Sequence, residues 1–178
     1  MDSYRLEKGM VQVYTGNGKG KTTAALGLAF RAAGRGLAVH MIQFAKKECC
    51  GEHLAAERFA DCLTITRMGH NGWLCGEKPG AEALSMARKA FELAREAVKD
   101  GLHDLVILDE INNAVSHGLI GVDEVLTLIG EKGANVELVL TGRNAAPEIM
   151  EAADLVTEMR EIKHYYKAGI AARIGIEK

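Results

Sequence analysis

The run Val11-Gln12-Val13-Tyr14-Thr15-Gly16-Asn17-Gly18-Lys19-Gly20-Lys21-Thr22-Thr23 limits the folds open to this chain more than any other. A short apolar alternation ends in glycines, the glycines end in Lys-Thr-Thr, and an Ala/Leu-rich helical pattern follows. That is the order of strand, loop and helix in a phosphate-binding loop. Glycines let the backbone turn tightly and aim several N–H groups into one concavity, and the N-terminus of the next helix adds positive partial charge there. Lys21 can then reach the outer phosphates, and the Thr22 hydroxyl can ligate Mg²⁺.

The usual pattern is G-x-x-x-x-G-K-[ST]. Here Thr15 stands at the first glycine position, so the backbone there must hold a negative φ, and Gly16, Gly18 and Gly20 supply the freedom. The deviant loop of partner-switching ATPases needs a lysine five residues before Lys21, and that residue is Gly16.

Strand-like and helix-like runs alternate along the rest of the chain. Met10–Tyr14, Leu37–Phe44, Leu63–Met68, Leu105–Leu108, Val136–Leu140 and Leu155–Met159 read as strands. Lys21–Ala33, Glu52–Ala60, Ala81–Lys99, Val122–Glu131 and Ala146–Ala153 read as helices, with Pro147 near the first turn of the last. In Ala81–Lys99 the spacing of Leu84, Ala87, Phe91, Ala94 and Val98 predicts one buried face. Gly69–Gly80, with four glycines, a proline and the only tryptophan, Trp73, reads as a loop. The tail Arg160–Lys178 is basic and glycine-punctuated and fits no element cleanly. Such alternation predicts an α/β fold, a mostly parallel sheet with helices on both faces. With no linker or internal repeat, the 178 residues are expected to form a single domain.

Composition narrows the function classes. With 48% hydrophobic and 26% charged residues the chain is an ordinary globular sequence, and a formal net charge of −2 gives no nucleic-acid footprint. Met1–Lys8 holds charges but no apolar run, and no apolar stretch is long enough to span a membrane, so a cytoplasmic location is expected. The four cysteines, Cys49, Cys50, Cys62 and Cys75, match no zinc or disulfide framework. Cys49, Cys50 and His53 invite a metal reading, against reduced thiols near a loop.

In a parallel α/β sheet, ligands bind beyond the carboxyl ends of the strands. That edge should gather the glycine loop, Gln43–Lys47, the loop around Trp73, Asp109-Glu110, Thr141–Arg143 and Arg160–His164. Leu105-Val106-Ile107-Leu108-Asp109-Glu110 is a second nucleotide signal: a buried strand delivers an acid toward the cation held by Thr22. Glu110 reads either as a Mg²⁺ ligand or as a base that activates water, which separates a transferase from an ordinary ATPase.

Several segments together resemble the P-loop class of ATP:cob(I)alamin adenosyltransferases. They are Thr15–Ala25, Ile107-Leu108-Asp109-Glu110-Ile111-Asn112, Leu140-Thr141-Gly142-Arg143, Thr157–His164 and Ala168–Glu177, spread from about Val11 to the C-terminus. The resemblance implies a P-loop NTPase-like (RecA-like) fold. It also implies transfer of the 5′-deoxyadenosyl group of ATP to Co(I) of a reduced corrinoid, with release of triphosphate. Carried over by position, Thr15, Gly16, Asn17, Gly18, Lys19, Gly20, Lys21, Thr22 and Thr23 form the triphosphate cradle. ATP's phosphate chain there is reversed relative to ordinary P-loop ATPases. Thr22, Asp109 and Glu110 are the ligands of Mg²⁺ or Mn²⁺, and Lys21, Thr22 and Glu110 the catalytic set. Arg31 matches a family arginine near the nucleotide, or is a solvated helix charge. Arg143, Arg160 and Lys163 add charge at the site, or form surface ion pairs.

Co(I) is a strong nucleophile, so the chain needs no Ser-His or Cys-His pair, only a grip on the leaving group and alignment of C5′. The family eases reduction of Co(II) by excluding the lower axial ligand with aromatic residues. Gly69-His70-Asn71-Gly72-Trp73 occupies that place: Trp73 matches the tryptophan, and His70 stands where phenylalanine is usual, with spacing one residue longer. An imidazole there can ligate cobalt or exclude a ligand. Relatives also imply a reducing flavoprotein and a homodimer. Met1–Met10 is shorter than their N-terminal helical extension, so a partner subunit, or nothing, is expected to close the site. Two other readings predict different products: a RecA-like Mg-ATPase releases phosphate without corrinoid, and a nucleotide-switched corrinoid-binding module turns nothing over.

Overall fold

The computed structural model describes residues 5–46, 48–69 and 80–178. The expectations for Lys47, His70 and Trp73 lie outside the described residues. Six strands form one parallel sheet: β1 (Val11–Thr15), β2 (Val39–Gln43), β3 (Leu63–Arg67), β4 (Leu105–Asp109), β5 (Glu137–Thr141) and β6 (Leu155–Glu158). Their spatial order is β3-β2-β4-β5-β1-β6. The helices are α1 (Lys21–Ala33), α2 (Gly51–Ala56), α3 (Ala81–Ala97), α4 (Ile111–Ser116), α5 (Val122–Glu131) and α6 (Pro147–Glu151). The predicted strands and helices are all present, α1 and α5 with the predicted ends and the others with at least one end moved by a residue or more. α4 was not anticipated, because Glu-Ile-Asn-Asn-Ala-Val-Ser is too short and polar to carry a periodic signal.

The period-two alternation of the strands divides the core. Val106, Leu108, Leu138 and Leu140 turn to the face covered by Ala87, Phe91, Ala94, Val125 and Leu128. Leu105, Ile107, Val139 and Met41 turn to the opposite face, against Ala25, Ala29 and Ala32 of α1. Strands β2 and β4 are buried at every residue, as central parallel strands should be. β6 is exposed at every residue and forms one edge. The face of α3 departs from the predicted one. Ala87, Phe91, Ala94 and Val98 are buried as predicted and Ala83, Ala90 and Ala97 join them, whereas Leu84 is 43% exposed on the flank of that stripe, one position round the helix from Ala83.

The alanines of α1 let it lie close on the sheet, where it rests on β4 and β5 rather than over its own strand. β5 separates β1 from β4. The loop that leaves β1 therefore crosses β5, and the first turn of α1 arrives beside the carboxyl end of β4.

Candidate active site

The glycine loop is built against β6. Gly16 has φ +91°, and a Cβ there would lie 2.5 Å from the Met159 carbonyl oxygen. The Gly18 N–H donates to that same oxygen at 2.6 Å, so the edge strand sets the loop's height. Thr15 stays in β1 with no positive φ, as its β-branch requires. Its hydroxyl accepts from the Ala145 N–H at 3.2 Å, so the residue that replaces the usual glycine ties the loop to the chain after β5. Lys21 is buried, and its ammonium donates to the carbonyls of Gly16 at 2.7 Å and Gly18 at 2.8 Å. Burial lowers its pKa, opposed by Glu110 and Asp109.

A cleft of about 500 Å³ opens over this loop, the scale of a small-molecule site. Asn17, Gly18, Lys19, Gly20, Lys21, Thr22 and Thr23 form its floor. Glu110, Arg143, Lys46 and Glu52 line its walls, with His164 and Gly175–Lys178 of the tail. Arg31, Arg160 and Lys163 are exposed and are not among the lining residues. Arg160 still meets the loop through its backbone, 2.8 Å from where a Gly18 Cβ would stand. His164 lies where Arg160–His164 mapped, whereas the part played by Gly175–Lys178 was not anticipated. Lys19 faces Glu177 at 3.9 Å, and Glu177 is held by Arg173 and by the Tyr165 hydroxyl.

At the end of β4 the Asp109 carboxylate is wholly buried and accepts three hydrogen bonds. Oδ1 accepts from the hydroxyls of Thr22 and Thr141, each at 2.8 Å, and Oδ2 accepts from Gln43 Nε2 at 3.2 Å. Thr141, at the end of the intervening strand β5, also accepts from the Glu110 N–H at 3.0 Å. One hydroxyl thus fixes both acids. Glu110 follows at φ +67°, a left-handed conformation uncommon for a non-glycine residue and typical of functional sites. Its Oε2 is shut from solvent with no hydrogen-bond partner. Burial, and then the Asp109 charge, push its carboxyl up to about 7. Burial raises Asp109 as well, but its three donors all require an acceptor, which leaves the proton of the pair on Glu110.

Gln43, Lys46 and Glu52 had no individual roles in the sequence reading, although Gln43–Lys47 mapped to this edge, and His53 entered it only as a candidate metal ligand beside the cysteines. Gln43 pairs in register with Asp109, so a polar residue closing an apolar strand was the signal. Its Nε2 also reaches Glu52 Oε1 at 3.4 Å, and that oxygen holds the Lys46 ammonium. The metal reading at the cysteines fails. Cys50, Glu52 and His53 do come within 4.8 Å of one another, but His53 Nδ1 accepts the Cys50 N–H at 2.8 Å. Its Nε2 is engaged by Gln43 at 2.7 Å, and Glu52 is paired with Lys46. No imidazole nitrogen is left for a cation. Cys49, Cys50 and Cys62 are free thiols.

The fold is similar to the crystal structure of flagellar accessory protein FlaH from Methanocaldococcus jannaschii. The TM-score is 0.56 at 13% identity, over 86% of this chain and 72% of that one, a likeness of fold alone, consistent with a P-loop NTPase-like sheet. Among curated proteins, the corrinoid adenosyltransferase of a Sinorhizobium species is 40% identical over 96% of this chain and 81% of its own length. That of Pseudomonas aeruginosa is 39% identical over 97% and 85%, and that of Escherichia coli K12 is 35% identical over 96% and 86%. Residues 7–177 match the family of ATP:corrinoid adenosyltransferase BtuR/CobO/CobP. A match across nearly the whole chain settles the class: the protein belongs to the ATP:corrinoid adenosyltransferases, enzymes that transfer the adenosyl group of ATP to a corrinoid.

Proposed function

We propose that residues Asn17–Thr23 hold the triphosphate of ATP, that Thr22, Asp109 and Glu110 hold a divalent cation beside it, and that the leaving group is stabilised there. The observation that carries this reading is the pair of acids at the end of β4: one hydrogen-bonded to the loop threonine, the other buried with an unpartnered oxygen. The donor set is all oxygen, which suits a hard cation such as Mg²⁺ or Mn²⁺. When bound, such an ion supplies positive charge against the triphosphate. Ionised Glu110 is costly in the protein alone, and a neighbouring cation removes that cost.

In the reaction the cobalt(I) electron pair forms the bond to C5′ as the C5′–O5′ bond breaks. The leaving pair stays on the triphosphate, and cobalt is oxidised formally from +1 to +3. No proton moves, so no general base is needed, and Glu110 serves as a ligand rather than an activator of water. The N-terminus of α1 opens onto the cleft, and the Lys21 ammonium, held by the Gly16 and Gly18 carbonyls, keeps a third N–H for the triphosphate. Lys46, held by Glu52, and Arg143 add charge at the walls.

Incubation with ATP, Mg²⁺ and chemically reduced corrinoid should give triphosphate and a light-sensitive alkyl-cobalt product in equal amounts. Release of ADP and phosphate without corrinoid would overturn the reading in favour of an ATPase. Binding of both ligands without turnover would favour a regulatory module.

A further inference from the structure

The Gln43 side chain is fully buried, and its carboxamide is used at both ends. A carboxamide can sit in two orientations related by a flip, and its neighbours decide which. Here the decision starts from the backbone. The Cys50 N–H can only donate, and it donates to His53 Nδ1 at 2.8 Å. His53 is therefore neutral, with its proton on Nε2. Burial lowers its pKa, in keeping with that form. Nε2–H then donates to Gln43 Oε1 at 2.7 Å. That leaves the Gln43 NH₂ facing Asp109 Oδ2 at 3.2 Å and Glu52 Oε1 at 3.4 Å. Every bond in the chain runs in one sense, from the N-terminus of α2 through β2 to the end of β4.

We infer that His53 is a positioning residue: through the Gln43 amide it holds Asp109 Oδ2, so that Oδ1 stays turned to Thr22 and the cation. The inference rests on the reading of Asp109 and Thr22 as the divalent-cation site. Without the imidazole, Oε1 of Gln43 loses its donor and the amide is no longer anchored from the α2 side. An amide free to shift no longer fixes its 3.2 Å bond to Asp109 Oδ2, one of the three bonds that define the acid's direction. Glu52, and through it Lys46, lose the same partner.

The test is calorimetric titration of ATP into the full chain, with and without Mg²⁺, reading the factor by which Mg²⁺ tightens ATP. If Mg²⁺ does not tighten ATP in the wild-type protein, the cation-site reading fails and takes this inference with it; that arm reports on the reading alone. Given wild-type coupling, His53→Leu should reduce the factor about fivefold to tenfold, the worth of one buried hydrogen bond, while any effect through Lys46 acts on ATP affinity with and without Mg²⁺ alike and cancels in the factor. His53→Gln, whose amide N–H reaches the place of Nε2, should restore most of it. Gln43→Leu should show the same loss, and adding His53→Leu to it should cost nothing further. Melting curves check folding, and His53→Met serves where His53→Leu does not fold. An unchanged factor in the donorless variant, or a loss that adds to that of Gln43→Leu, overturns the inference.

Discussion

Replacing Glu110 by glutamine should stabilise the nucleotide-free, cation-free protein at pH 8 and leave its stability nearly unchanged at pH 4. The side chains are isosteric and both residues carry the same left-handed backbone, so the exchange isolates the charge. Folding raises the carboxyl from 4.5 to about 7. The folded protein therefore holds this proton more tightly than the unfolded chain. Below pH 4.5 both states are protonated, and Glu110 behaves much as glutamine would. Between 4.5 and 7 unfolding releases the proton and stability falls as pH rises; above 7 the loss is complete. At about 1.4 kcal/mol per pH unit, the full gap is worth at most about 3.5 kcal/mol. Urea unfolding in chelator at pH 4, 5.5, 7 and 8 measures it. The Glu110→Gln advantage should grow from near zero to a plateau above pH 7. A pH-independent difference, or one that grows toward acid, would refute the assignment of the buried proton to Glu110. Saturating Mg²⁺ and ATP should narrow the advantage at pH 8, because a bound cation favours the ionised acid.

Other expectations follow from the same geometry. Thr22→Val removes the donor to Asp109 Oδ1 and should lower stability by about 1 kcal/mol in urea unfolding, while abolishing the tightening of ATP by Mg²⁺ in calorimetry. Gly16→Ala places a Cβ 2.5 Å from the Met159 carbonyl at φ +91°, and should cost about 1–3 kcal/mol or more of stability and weaken ATP binding with it. On α3, Phe91→Ala should cost about 3–5 kcal/mol, whereas Leu84→Ala should cost less than about 1 kcal/mol, which checks the buried face directly by thermal or urea unfolding.

Glycine spacing, the Lys-Thr-Thr that follows and the Ala-rich helix are neighbours along the chain, so the cradle was legible before folding. So was the apolar run that ends in Asp109-Glu110, and with it the family. Leu84 was misassigned because spacing puts it at the flank of the apolar stripe and does not say how far round the helix the cover reaches: Ala83 beside it is buried. α4 escaped because six mostly polar or small residues carry no period. The tail was unreadable locally, yet Glu177 reaches the cleft by pairing with Lys19.

The sequence by itself determined the local grammar: six strand-length runs, the helices between them, the phosphate loop and the identity of the acids. Only the tertiary structure decided that β5 stands between β1 and β4, so that the Thr141 hydroxyl serves both acids. Nor was the contact of Gln43 with Asp109, 66 residues away, or the hold of His53 on Gln43, written in any spacing. Propensity and periodicity act over one or two turns of chain, whereas these bonds depend on which strands become neighbours. That choice is made by burial of whole faces, after the local pattern has been satisfied.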